Sequence, residues 1–114
     1  MASHNNKVLS VGADPELLWL RNAALQSAGL NVLTTSDEND ALTEIRQGEC
    51  GALVLCDSLS DNALRRLTET FRRCCPAGRI VAITNKPVPK AETADTFVYG
   101  VEGPEALIKA IRNQ

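Results

Sequence analysis

The sequence predicts an α/β domain built on a parallel sheet. Short apolar runs rich in β-branched residues alternate with longer amphipathic stretches, and the run 52–56 is apolar at every position. The alternation is typical of strand–helix–strand units, which form parallel sheets. An unbroken apolar run indicates a strand that is covered on both faces. We therefore expect 52–56 to lie at the centre of the sheet.

Length and charge favour one small domain. The chain has 114 residues, with 12 Lys and Arg against 14 Asp and Glu. We expect a single domain over 7–114 after a disordered tail over 1–6. The near-neutral charge and few aromatic residues argue against nucleic acid or an anionic membrane as a partner. The tail has no apolar run of the signal-peptide kind and no segment is long enough to span a membrane, so the expected location is cytoplasmic.

The cysteines do not predict a metal site. The chain has 4 cysteines without C-x-x-C spacing, and its single histidine, His4, lies in the tail. A zinc site is therefore not expected. The adjacent Cys74 and Cys75 could form a redox pair or remain reduced thiols near a helix end, and the expected cytoplasmic location favours reduced thiols.

Five strands and four main helices follow from the pattern. The predicted strands are 7–12, 31–35, 52–56, 79–84 and 96–99. The predicted helices are 15–28, 38–47, 61–75 and 104–112. Pro15 and Pro104 favour helix starts, because proline is tolerated in the first turn. Gly29 and Gly48 favour helix ends.

The spacing of apolar residues also predicts which helix faces are buried. In the first helix we expect an inward stripe of Leu17, Leu20, Ala24, Leu25 and Ala28. In the other helices the expected inward residues are Ala41, Leu42, Ile45, Leu64, Leu67, Phe71, Ala106, Leu107 and Ile111. Trp19 lies off the first stripe and is interpreted as a surface residue, with a binding anchor as the alternative. The third helix carries a basic face, interpreted as solvated or, alternatively, as a partner surface, formed by Arg65, Arg66, Arg72 and Arg73.

Several segments, in this order and spacing, resemble the receiver domain of response regulators, the CheY-like module of two-component signalling. The segments are Val8-Leu9-Ser10-Val11 with Asp14-Pro15, Gly29-Leu30-Asn31-Val32, Asp40-Ala41-Leu42, Leu53-Val54-Leu55-Cys56-Asp57, Ile80-Val81-Ala82-Ile83-Thr84 and Pro104-Glu105-Ala106-Leu107. The resemblance implies a flavodoxin-like fold, with five parallel strands in the order 2-1-3-4-5 and helices on both faces. It also implies a signalling domain and not an enzyme.

The same resemblance assigns roles to three residues. Asp57 corresponds to the aspartate that accepts a phosphoryl group from a histidine kinase or phosphotransfer protein. Thr84 corresponds to the hydroxyl residue that contacts a phosphoryl oxygen, and Phe97 to the aromatic residue that switches rotamer. Such folds place their sites at the carboxyl ends of the strands, where Asp57 and Thr84 fall.

The sequence departs from the family pattern around that site. The acidic pair that holds Mg²⁺ in the family corresponds here to Gly12 and Ala13. Asp14 is one position late, so it is either a helix cap or a weak metal ligand beside Asp57. The family's lysine and the proline after it correspond to 100–101, which are Gly and Val. We therefore expect a Mg²⁺ site that is weak or absent.

A second departure concerns the segment between the last two strands. It is shorter than in the family and contains Pro87 and Pro89, which disfavour a helix. We expect the helix that the family has there to be short or missing. Lys86 in this segment could replace the missing lysine or could be an exposed surface residue.

Three functions follow from these observations. The first is an atypical receiver in which phosphotransfer to Asp57 is impaired or absent. The second is a phosphorylation-independent pseudo-receiver that binds an effector protein. The third is a flavodoxin-like cofactor or enzyme domain, which is disfavoured because two acids in the loop 12–16 would repel the phosphate of a flavin.

Overall fold

The computed structural model describes residues 7–56, 59–84, 95–99 and 104–112. The strands are β1 (Lys7–Val11), β2 (Asn31–Thr35), β3 (Ala52–Leu55), β4 (Arg79–Thr84) and β5 (Thr96–Tyr99). The helices are α1 (Pro15–Ser27), α2 (Glu38–Arg46), α3 (Asp61–Cys74) and α4 (Pro104–Arg112). Each lies within one residue of its predicted bounds. The predicted tail 1–6 and the segment 85–94, with its predicted short or missing helix, lie outside the described residues.

The strands form one parallel sheet in the order β2-β1-β3-β4-β5, which confirms the predicted topology. Helices α1 and α4 cover one face of the sheet, and α2 and α3 cover the other. Strand β3 is buried on both faces, because Val54 packs in the first core cluster and Leu53 and Leu55 pack in the second. This confirms β3 as an interior strand, and its carboxyl end opens near the middle of the sheet.

The predicted inward stripe of α1 was wrong in one respect. Among the α1 side chains that the structure describes, Leu18 and Leu25 are buried, whereas Leu20 is 57% exposed. The side chain of Leu17, which the stripe also included, lies outside the described residues. Four large apolar residues follow one another over 17–20, so the sequence does not define a single stripe there. Trp19 is 67% exposed, which confirms it as a surface residue.

The other helices bury the residues that their spacing predicted. Those fully buried are Ala41, Ile45, Leu67, Phe71, Leu107 and Ile111, and those partly buried are Leu42, Leu64 and Ala106. The basic face of α3 is exposed as predicted. Two of its members form ion pairs, Arg66 with Glu38 and Arg72 with Asp95. No helix within the described residues combines the length and apolar composition needed to cross a membrane.

None of the four cysteines forms a disulfide bond in the structure. Burial raises the pKa of the Cys50 thiol to about 11 and also raises the pKa of Cys75. Both groups are therefore protonated near neutral pH and are poor nucleophiles there. Neither thiol lies at the carboxyl edge of the sheet, because Cys50 precedes β3 and Cys75 follows α3.

Asp95, just before β5, forms hydrogen bonds with residues of β4 and α3. Its carboxylate accepts a hydrogen bond from the Ile80 N–H at 2.8 Å and two from the Arg72 guanidinium at 3.1 and 3.2 Å. Its own N–H donates to the Ile80 carbonyl at 2.9 Å. Partial burial alone would raise the pKa of Asp95, but the bonds from Arg72 and Ile80 and the charges of Arg72 and Arg79 hold that pKa below its usual range.

We expect Asp95→Asn to lower the free energy of unfolding by about 1–2 kcal/mol at pH 7, because it removes charge-assisted hydrogen bonds. A lowered carboxyl pKa stabilises the fold above the unfolded value, near about 4, and that contribution is lost as the pH falls through the folded value. Urea titrations at pH 7 and pH 3 should therefore show a smaller difference from the wild type at the lower pH. Arg66→Gln, which breaks the exposed pair with Glu38, should cost under about 0.5 kcal/mol. An equal loss in both variants at pH 7 would contradict this account.

Candidate functional site

The carboxyl edge of the sheet brings together the residues that follow β1 and β3. The Cys56 N–H donates to the Val11 carbonyl at 3.1 Å, and the Gly12 N–H donates to the Thr35 carbonyl at 3.4 Å. These bonds continue the strand pairing for one residue beyond β1 and β3. Gly12 and Cys56 are therefore neighbours at the edge where the sequence predicted a site.

Gly12 has no room for a side chain. A Cβ atom at this position would lie 2.8 Å from Cys56 Sγ, 3.0 Å from Cys56 Cβ and 3.3 Å from Leu18 Cδ2. Gly12 is itself buried. The place from which a carboxylate would extend at the end of β1 is thus filled by the Cys56 side chain and by α1.

Asp14 acts at the start of α1. Its Oδ1 accepts a hydrogen bond from the Glu16 N–H at 3.1 Å, and its carbonyl accepts the Leu18 N–H at 3.1 Å. An N–H group in the first turn of a helix has no partner within the helix, and an aspartate just before the helix commonly supplies one. The structure therefore supports the capping interpretation of Asp14.

Arg21 reaches the same edge from α1. Its Nη1 donates to Cys56 Sγ at 2.9 Å, and the Arg21 side chain is partly buried. Sequence reasoning singled out neither Arg21 nor this contact. The available signal was the position of Cys56 directly before Asp57, together with a lone basic residue in an otherwise uncharged part of α1.

Asp57 lies outside the described residues, but both of its flanks are described. The Leu59 N–H donates to the Cys56 carbonyl at 3.2 Å. Ser60 then caps α3, because its Oγ accepts the Ala63 N–H at 3.1 Å. The segment that carries Asp57 is therefore attached on one side to β3 and on the other side to the start of α3.

The other predicted site residues are described only by their backbones. Thr84 is the last residue of β4 and pairs in register with Tyr99, which places it at the carboxyl edge. Phe97 pairs with Ala82 inside β5. The side chains of Thr84 and Phe97 lie outside the described residues, as do the whole of Lys86 and the positions 100–101.

The described part of this edge does not fit a Mg²⁺ site of the kind that the resemblance implies. Mg²⁺ prefers carboxylate oxygens. Gly12 and Ala13 have none, and Asp14 caps α1. Over 7–56, 59–84, 95–99 and 104–112, no three His, Cys, Asp or Glu side chains come together in a way that could hold a metal ion.

The fold of the chain is similar to the folds of several solved structures. A CheY-like response regulator receiver domain protein from Methanospirillum hungatei superposes with a TM-score of 0.79 at 18% identity, over 93% of this chain and 90% of that one. The receiver fold is the fold of this chain. The chemotaxis protein CheY4 of Vibrio cholerae agrees, with a TM-score of 0.78 at 20% identity over 90% of this chain and 92% of that one.

A third structure with the receiver fold is a response regulator protein from Burkholderia pseudomallei with a phosphorylated aspartic acid and a calcium ion. Its TM-score is 0.76 at 15% identity, over 94% of this chain, which spans 66% of that protein's length. No protein-family model and no curated protein matches the chain. At these identities the receiver likeness is a likeness of fold.

Proposed function

We propose that the chain is an atypical receiver domain of two-component signalling, with Asp57 as the phospho-acceptor and with phosphotransfer slower than in a receiver that has a full metal site. One observation carries the proposal. The buried strand β3 ends at Leu55, at the carboxyl edge of a receiver-type sheet where such folds place their sites, and Asp57 comes two residues later in the sequence.

The chemistry asked of Asp57 is a phosphoryl transfer. A carboxylate oxygen forms a bond to phosphorus while the bond from phosphorus to the leaving group breaks, and the leaving group departs with that electron pair. The Thr84 hydroxyl would donate a hydrogen bond to a phosphoryl oxygen, and Phe97 would respond by changing rotamer. Negative charge accumulates during this step, so a receiver depends on nearby positive charge.

A purely structural role is the alternative use of the Asp57 carboxylate. A carboxylate at this position could accept N–H bonds from the turn that follows it. One of those donors, the Leu59 N–H, already bonds to the Cys56 carbonyl at 3.2 Å. The labelling of Asp57 described below decides between the two uses of its carboxylate.

The slow rate follows from the residues at the end of β1. Gly12 is packed against Cys56, Ala13 carries no ligand, and Asp14 caps α1. Any Mg²⁺ site formed by Asp57 and Asp14 would be weak, so we propose that Mg²⁺ is a poor cofactor or none. This proposal also includes a single domain over 7–114 and a cytoplasmic location.

Protein partners belong to the same proposal. They would be a histidine kinase or phosphotransfer protein that supplies the phosphoryl group, and an effector that reads it. Nucleic acid and membrane are not proposed as partners, because the formal charge is −2. The domain would act as a signalling element and not as an enzyme.

A second candidate is a pseudo-receiver that binds its effector without phosphorylation. The exposure of Trp19 and Leu20, at 67% and 57%, favours it, because large apolar side chains side by side on a helix surface are common at protein interfaces. These two residues lie on α1, whose inner face packs on the sheet.

Intact-mass spectrometry after incubation with acetyl phosphate, with Mg²⁺ and separately with EDTA, tests the proposal. We expect one phosphoryl group on the wild type in at least one condition, none on Asp57→Asn, and an unchanged adduct on the matched variant Asp61→Asn. Circular dichroism confirms that each variant is folded. A folded wild type without an adduct in either condition would reject the first candidate in favour of the pseudo-receiver.

A further inference from the structure

Strand β2 directs part of its backbone away from the sheet. It is the terminal strand and, within the described residues, it pairs with β1 alone. The Gly12 N–H donates to the Thr35 carbonyl at 3.4 Å, so the backbone groups of Thr35 point toward β1. Because this direction alternates along a strand, those of Leu33 also point toward β1. The N–H and carbonyl groups of Val32 and Thr34 therefore point outward from the edge of the sheet.

The same strand lacks the features that usually protect a sheet edge. Natural edge strands commonly carry a lysine, a proline or a bulge that prevents another strand from pairing with them. The strand Asn31–Thr35 contains no charged residue and no proline, and it pairs with β1 residue for residue, without a bulge. Its central side chain, Leu33, is 38% exposed. Such an edge can accept another strand through main-chain hydrogen bonds.

Trp19 lies on the side of α1 that faces this edge. Arg21 contacts Cys56, just after β3, so the Arg21 side of α1 faces the centre of the sheet. Trp19 comes two residues before Arg21 and is rotated from it by about 200° around the helix axis. Its exposed ring therefore lies toward β2. Leu20 lies between them on the outer surface of the helix and does not face the edge.

The edge of β2 is complementary to itself in an antiparallel pair. A two-fold axis at Leu33 would place this residue opposite its own copy, as a non-hydrogen-bonded pair with Cα atoms about 4.5 Å apart. Val32 of one copy would then face Thr34 of the second copy, and their outward N–H and carbonyl groups would exchange hydrogen bonds. Asp37, the nearest charged residue along the chain, would come opposite Gly29, so no like charges would meet.

We propose that the domain forms a two-fold dimer in which the β2 strands of two copies pair antiparallel and join the two sheets into one. The two α1 helices would lie side by side on one face, and the Trp19 ring of each would extend toward the other. A two-fold interface uses the same patch on both copies, which the symmetric register about Leu33 allows. The inference does not rest on the proposed function, because neither Asp57 nor a phosphoryl group takes part in the pairing.

Sedimentation equilibrium over a range of protein concentrations tests the dimer. We expect the mass of the wild type to rise from that of one chain toward twice that value. Leu33→Lys and Leu33→Glu should each weaken association by about tenfold or more, because like charges would lie directly opposite each other. An equal mixture of these two variants should associate again, because opposite charges then meet. Leu20→Lys is the matched control on the outer surface of α1 and should leave association unchanged.

Amide hydrogen exchange tests the register. The N–H groups of Val32 and Thr34 should gain protection as the protein concentration rises, whereas that of Leu33, directed toward β1, should be protected at every concentration. Circular dichroism of each variant checks that it is folded. A wild type that stays monomeric at about 1 mM would overturn the proposal. A dimer that Leu33→Lys leaves intact, or that the mixture of charged variants fails to restore, would overturn it as well.

Discussion

Gly78→Ala should lower the free energy of unfolding by about 3 kcal/mol, at the upper end of the cost of overpacking a core. A Cβ at this position would lie 2.5 Å from Cζ and 2.8 Å from Cε2 of Phe71, and 3.3 Å from the Cys50 carbonyl oxygen. Phe71 is fully buried in the core between the sheet and α3, so a shift of its ring would disturb the side chains packed around it. Thermal denaturation should show a melting temperature lower by roughly 10 °C.

Two further variants separate crowding from backbone strain. Gly29→Ala introduces a Cβ that meets nothing within 4 Å but sits at a φ of +89°, so it should cost only about 1–2 kcal/mol. Phe71→Leu makes space beside Gly78, and in that background Gly78→Ala should cost at least about 1 kcal/mol less than in the wild type. Equal costs in the two backgrounds would show that the ring of Phe71 is not what limits position 78.

The elements of this fold were predictable because the chain marks them locally. The prolines at 15 and 104 mark helix starts, and the glycines at 29 and 48, which have φ of +89° and +74°, mark helix ends. The apolar run from Ala52 predicted an interior strand, and β3 is buried on both faces. These signals are local, so they can be read without knowing which helices and strands pack against each other.

The orientation of α1 was less predictable, because it depends on packing. Successive residues of a helix are rotated by about 100° about its axis. The observed inner face, centred on Leu18 and Leu25, therefore lies roughly a quarter turn from the predicted stripe, which included Leu20. The run of apolar residues over 17–20 satisfies either orientation. In the orientation that the structure has, Leu18 packs beside Gly12 at the end of β1, which is a contact between two elements and not a local sequence pattern.

The candidate site, like the fold, could be predicted from the sequence only in part. The placement of Asp57 after a buried strand and the absence of carboxylates at Gly12 and Ala13 could be derived from the sequence and its resemblance to receivers. The contact of Arg21 with Cys56 could not be derived in this way, because the two residues are 35 positions apart in the sequence. No local pattern specifies which side chain of α1 reaches that sulfur.

Gly12→Asp, which would restore a carboxylate at the end of β1, should lower the free energy of unfolding by about 3 kcal/mol. The new Cβ would lie 2.8 Å from Cys56 Sγ, and a buried carboxylate would also lose hydration. Gly12 has no positive φ, so Gly12→Ala should show the crowding alone, at about 2 kcal/mol. Urea titration of the two variants measures both costs, and their difference reports the cost of the charge.

The same substitution tests the proposal that Mg²⁺ binds this edge weakly or not at all. Cys56→Ala removes the sulfur that makes the closest contact with position 12, so the cost of Gly12→Ala should fall by at least about 1 kcal/mol in that background. Gly12→Asp should gain no stability from Mg²⁺ over EDTA, because Ala13 carries no ligand and Asp14 caps α1, so one carboxylate at position 12 does not complete a Mg²⁺ site. A clear rise in melting temperature with Mg²⁺ would instead show that the missing carboxylate alone keeps metal from this edge.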